Sequence, residues 1–161
     1  MQIESKEDCV DSRLLFAETL EQMLRNNPGI DQRCCQLHRQ YDWLRAALKT
    51  VASSQSASNL ANWAVTGKQQ ILPTAVSTQG IPLMWNTPET CQMINRWLSC
   101  VRGADVAACN MDELRDQHPY KIMQAADDDS IRKSLLQNFS SLKSFYELTV
   151  LHGNGVIVDR D

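Results

Sequence analysis

No stretch of this 161-residue chain approaches the roughly 20 consecutive apolar residues that a membrane-spanning helix needs. The polar start MQIESKEDC also lacks the apolar core of a signal peptide. No membrane span is expected, and the chain reads as cytoplasmic, or as exported without a recognisable signal. A basic excess is missing too, since 16 Lys and Arg face 19 Asp and Glu, for a formal net charge of −3. Arg13, Arg25, Arg33, Arg39, Arg45 and Lys49 are interleaved with acids. Nucleic-acid affinity rests on clustered cations that neutralise phosphates, so no nucleic-acid partner is expected.

The spacings that hold metals are absent as well. There is no CxxC or HxxxH, and the three histidines, His38, His118 and His152, stand far apart. Cys34, Cys35 and His38 would still need a ligand from elsewhere. Asp127, Asp128 and Asp129 lack the glycine and spaced oxygens of a calcium loop and suit the start of a helix instead. Gly153-Asn154-Gly155 follows a helix and does not open one, so its amides have no helix dipole behind them to cradle a phosphate. No metal and no cofactor are expected.

Cys34, His38 and Asp42, at i, i+4 and i+8, superficially resemble a nucleophile, a base and an orienting acid. On a helix they advance about 6 Å and rotate about 40° per step, so they cannot converge on one reacting atom. They read as a core cysteine beside an exposed His38–Asp42 pair. No catalytic residue is assigned.

What is present is an ordinary globular composition, 43% hydrophobic and 22% charged, that suits a single helical domain over residues 1–161. Cys34, Leu37, Tyr41, Leu44, Leu48 and Val51 alternate at steps of three and four, the spacing of a helix that buries one seam. A preceding helix over about residues 5–25 carries Val10, Leu14, Ala17, Leu20 and Leu24. Asn26, Asn27, Pro28 and Gly29 break it, and Asp31 suits the cap of the next. The two predict an N-terminal αα-hairpin. The same seam would also pack against a second copy of the chain, which leaves a homodimer open.

Beyond the seam, residues 53–58 read as a mobile Ser-rich linker, followed by a short helix over about 59–72. Pro73, Gly80, Pro82 and Pro88 punctuate an irregular loop with a short extended segment inside it. Thr87, Pro88 and Glu89 read as cap, first-turn proline and first-turn acid of a long helix bearing Met93, Ile94, Trp97, Leu98 and Val101. Gly103 is expected to close it, and a short helix follows between 105 and 117, capped by Asn110 or Asp112. A last long helix carries Ile131, Leu135, Phe139, Leu142, Phe145 and Tyr146 to a stop at Gly153. Residues 153–161 form a flexible or short extended tail. The fold class is therefore all-α: a helical bundle built on the αα-hairpin, with two further long helices, short helices and an irregular Pro-containing loop.

The six cysteines invite a disulfide reading. Cys91, Cys100 and Cys109 recur every nine residues, however, which on one helix turns successive side chains to opposite faces. Reduced cysteines serving as small core residues are expected.

With no convergent polar site in view, the expected function is a non-enzymatic protein–protein interaction module, a regulator, adaptor or microbial effector. Its candidate partner-binding residues are Trp63, Ile81, Leu83, Met84 and Trp85, because Trp and Met supply large contact areas. Two alternatives stand beside it. One is an enzyme whose site is assembled from distant residues, with Cys35, His38 and His118 as first suspects. The other is a secreted, disulfide-bonded four-helix signalling protein.

Overall fold

Trp43, Leu44, Ala47 and Leu48 are fully buried, and all four lie on α1 (Tyr41–Val51), the helix around which the domain is built. The structure, a computed structural model, describes residues 35–37, 40–71, 80–117 and 126–160. Among these residues it holds six helices and one small three-stranded sheet. The all-α class holds. The first helix of the expected hairpin, Cys34, His38 and His118 lie outside the described residues.

The buried face of α1 is broader than the expected seam. Leu44 and Leu48 sit in the core, Leu37, Tyr41 and Val51 pack at its margin, and Trp43, Ala46 and Ala47 are buried beside them. A two-helix seam leaves such flanking positions in solvent, but α1 touches four other helices and is enclosed on several sides. Asp42 pairs with Arg45 at 2.9 Å on the side that remains open.

α2 (Gln55–Thr66) corrects the reading of residues 53–58 as a linker. The Ser54 hydroxyl accepts from the Ala57 amide at 3.2 Å, satisfying one of the free donors of the first turn. Gln55 donates to Asn59 at 3.2 Å one turn on. The serines and small polar residues thus cap and start a helix, and they bury Ala57, Ala61 and Ala64 on its inner side. α2 stops at Gly67, whose φ of +75° favours glycine, rather than running on to residue 72.

α3 (Pro88–Cys100) begins as its sequence implies, with the Thr87 hydroxyl accepting from the Thr90 amide at 3.3 Å and Pro88 in the first turn. Cys91, Ile94 and Leu98 are buried, while Met93 faces outward at 49% exposure. The expectation that Gly103 closes this helix is overturned: α3 ends at Cys100, and Gly103 opens α4 (Gly103–Ala107). A side chain there would meet Leu136 at 3.3 Å, so the glycine serves close approach of α4 to the last helix. α5 (Met111–Asp116) is capped by Asn110, which accepts from the Asp112 amide at 3.0 Å.

α6 (Asp128–Leu151) closes the domain. Asp127 caps it by accepting from the Ser130 amide at 2.9 Å and the Ser130 hydroxyl at 2.7 Å. Those bonds hold the Asp127 carboxyl below its usual range. Ile131, Leu135, Phe139, Leu142 and Tyr146 form the buried stripe. Arg132 donates to the Ala107 and Cys109 carbonyls, and Arg115 meets Asp128 at 2.5 Å, so two arginines fasten the short helices to the long one. At the other end Gly153 (φ +67°) donates to Val150 and Asn154 donates to Thr149, both at 3.0 Å. This paired pattern is the Schellman closure of a helix.

β1 (Gln69–Gln70), β2 (Met84–Asn86) and β3 (Val156–Val158) form the antiparallel sheet in the order β1-β2-β3. The apolar loop segment and the chain's tail, both expected to be extended, are thus paired to each other.

Candidate functional site

The register of the sheet decides where Leu83, Met84 and Trp85 point, three of the five candidate residues. Trp85 lies between Gln69 and Ile157, and Met84 between Gln70 and Val158. Because side chains alternate along a strand, Leu83 and Trp85 share one face with Ile157, whereas Met84 and Asn86 share the other with Val156 and Val158. The second face is the inner one: Val156 belongs to the core, Val158 packs against it and Asn86 is fully buried. Met84 is half-buried on this side.

On the outer face the Trp85 ring lies over Gly155. A side chain at Gly155 would sit 2.3 Å from Cη2 of that ring and 2.7 Å from the Asn86 carbonyl oxygen. No residue but glycine leaves room for the indole there. Trp85 itself is half-buried, Ile157 is 44% exposed beside it, and Leu83 is covered to 2% exposure. Leu83 is thus the covered end of this face, and Ile81, half-buried, precedes it.

Trp63 lies on the last turn of α2, half-buried against the core. Lys68 connects it to the sheet. The Lys68 amide donates to the Trp85 carbonyl at 3.2 Å, and its ammonium lies 4.6 Å from the Trp63 ring centroid, within cation–π range. The structure so brings Trp63 and Trp85 to opposite ends of one lysine, with Met84 on the far side of the strand.

Beneath the sheet runs a polar link that the sequence did not signal. The Asn86 carboxamide donates to the Trp63 carbonyl at 2.8 Å and to the Tyr146 hydroxyl at 3.0 Å, and that hydroxyl donates to the Ala64 carbonyl at 3.1 Å. The last turn of a helix leaves carbonyls without intrahelical donors. Here Tyr146 on the distant α6 supplies a donor to the Ala64 carbonyl, Asn86 adds a second donor to the Trp63 carbonyl that already accepts from the Gly67 amide at 3.0 Å, and β2, α2 and α6 are joined at one point. Burial raises the Tyr146 hydroxyl well above its ordinary value, so it stays protonated and able to donate.

The described cysteines are free thiols. Cys91 is buried and donates to the Asn86 carbonyl at 3.6 Å, and burial pushes its thiol up to about 11. Cys109 is buried too and raised by the same cause. A protonated, enclosed thiol is a poor nucleophile, so both act as packing. Among the described residues no group of three or more His, Cys, Asp or Glu is placed to hold a metal ion, and no helix is long and apolar enough to cross a membrane. Ile157, Lys68, Gly155 and Asn86 are the site residues that sequence reasoning passed over. The β-branched run Val156-Ile157-Val158 was the one signal, of a strand there, that could have found the first of them.

Compared with protein-family models, with curated protein sequences and with solved structures, the chain matches none.

Proposed function

We propose that this protein is a protein–protein interaction module whose partner docks on the outer face of the sheet. The observation that carries this reading is the Trp85 ring held over Gly155 beside the half-exposed Ile157. An aromatic side chain fixed by a tailored glycine loses little entropy on binding, and large rigid side chains of this kind dominate interface energetics. Ile81 precedes the strand, Leu83 is the covered end of its outer face, and Trp63 extends the surface through Lys68. Met84 contributes through the inner face, by holding the strand in place.

The test is quantitative affinity capture from the native cell extract with the wild-type chain and with Met84→Ala and Trp85→Ala. A species retained by wild type and lost from Trp85→Ala, at little change in thermal stability, supports the reading. If every partner is retained while thermal stability drops, the segment is core and the proposal fails.

A further inference from the structure

The sheet is fastened to the helices differently from the way the helices are fastened to one another. The helices share one apolar cluster running from Trp43 to Tyr146. The sheet meets that body through Val156 and Val158, through the Asn86 carboxamide, through the Cys91 thiol on the Asn86 carbonyl and, at its edge, through Lys68 over the Trp63 ring. Leu83, covered though it is, is not part of the helical cluster among the described residues. Both edge strands leave their helices close to a glycine of positive φ, Gly67 before β1 and Gly153 before β3.

Asn86 is itself closed by a narrow margin. Its Nδ2 makes two bonds, but its Oδ1 is buried with no hydrogen-bond partner among the described residues. Turning the amide over would set Oδ1 against the Trp63 carbonyl, two acceptors face to face, so the unpartnered oxygen is inherent to this arrangement. An orphaned buried acceptor offsets much of what the bonds beside it contribute.

From these observations we infer that the three-stranded sheet is a separately opening unit of the domain, latched to the helical body by the Asn86 carboxamide. Opening withdraws the Asn86 donor from the Trp63 carbonyl and from the Tyr146 hydroxyl, and uncovers the inner face of β2. Such sub-global opening, well below the free energy of complete unfolding, is how domains expose segments without losing their fold. The inference stands independently of whether the outer face binds a protein.

Native-state hydrogen exchange at low denaturant tests it. The amides of Lys68 and Ile71, bonded to Trp85 and Leu83, are expected to exchange together with the strand amides of β2 and β3, with one shared denaturant dependence. Their opening should be at least about 10-fold more frequent than that of the Leu44 and Leu48 amides in α1. Asn86→Asp keeps the side-chain shape but sets carboxylate oxygens against the Trp63 carbonyl. It should raise exchange in the sheet by a further factor of about 10 or more, relative to α1. Sheet amides that share the protection and denaturant dependence of Leu44 and Leu48, or that each fray independently, overturn the separate unit. An Asp variant that accelerates sheet and α1 alike overturns the latch. Should that variant not fold, Asn86→Ala, which removes the carboxamide without adding a charge, takes its place with the same expected and contrary outcomes.

Discussion

Tyr146→Phe removes one oxygen atom from the centre of the domain and leaves the ring's packing intact. In the wild type that oxygen accepts from Asn86 at 3.0 Å and donates to the Ala64 carbonyl at 3.1 Å, and the residue is fully buried. Its loss strands a carbonyl at the end of α2 and one proton of the Asn86 amide, both out of reach of solvent. A net hydrogen bond is worth about 1 kcal/mol, and a buried group left without its partner costs about 1–3 kcal/mol. Phe is close to isosteric, so a cavity adds little. The expected destabilisation is about 2–3 kcal/mol, large for the deletion of one atom. The edge-on contact with Phe145, with ring centroids 5.7 Å apart, should survive. Urea unfolding is the assay. With a slope of about 2 kcal/mol/M, the midpoint should fall by roughly 1–1.5 M with the slope unchanged. A fall of less than about 0.5 kcal/mol, the size expected of a surface change, would refute the claim that this hydroxyl joins β2, α2 and α6.

Three further outcomes follow from particular contacts. Gly155→Ala forces its new methyl into the Trp85 ring. It should cost about 1–3 kcal/mol and shift tryptophan emission, whereas an unchanged spectrum and stability would contradict the stacked geometry. Ser54→Ala should cost about 1 kcal/mol in thermal or chemical unfolding, because it removes the hydroxyl that accepts from Ala57. Asp127, with its folded pKa below the ordinary 3.8, contributes stability that is present above that value and lost as pH falls through the lower folded pKa. Asp127→Asn can still cap but cannot titrate, so its stability should fall less steeply than wild type on acidification below about pH 4.

Where the sequence was readable, the reason was local chemistry. Thr87, Pro88 and Glu89 open α3, and Gly153 closes α6, because caps and left-handed glycines act on neighbouring backbone groups. The stripe from Ile131 to Tyr146 was likewise visible in its spacing. α2 was misread because Ala57, Ala61 and Ala64 give little hydrophobic contrast to their serines and asparagines, although their smallness is what lets a helix sit close to its neighbours. Trp43 escaped because a two-helix seam predicts one buried stripe, and α1 is covered from several directions. The candidate site was half legible. The apolar segment around Trp85 drew notice as a surface, but its pairing with β1 joins it to Gln69 and Gln70, which show no strand pattern at all. Asn86 could not be found: its partners lie 23 and 60 residues away along the chain. A buried polar residue is recognised only when those distances are closed.

Site-specific photo-crosslinking from position 157 tests the proposed interaction surface most directly. A photoreactive residue placed there, in the native cell extract, should give a discrete protein adduct. That adduct should be absent when the same group replaces the exposed Lys133 on α6 and should disappear when Trp85→Ala is added. Equal adducts from both positions, or an adduct at 157 that survives Trp85→Ala, would contradict the assignment of the sheet's outer face as the docking surface.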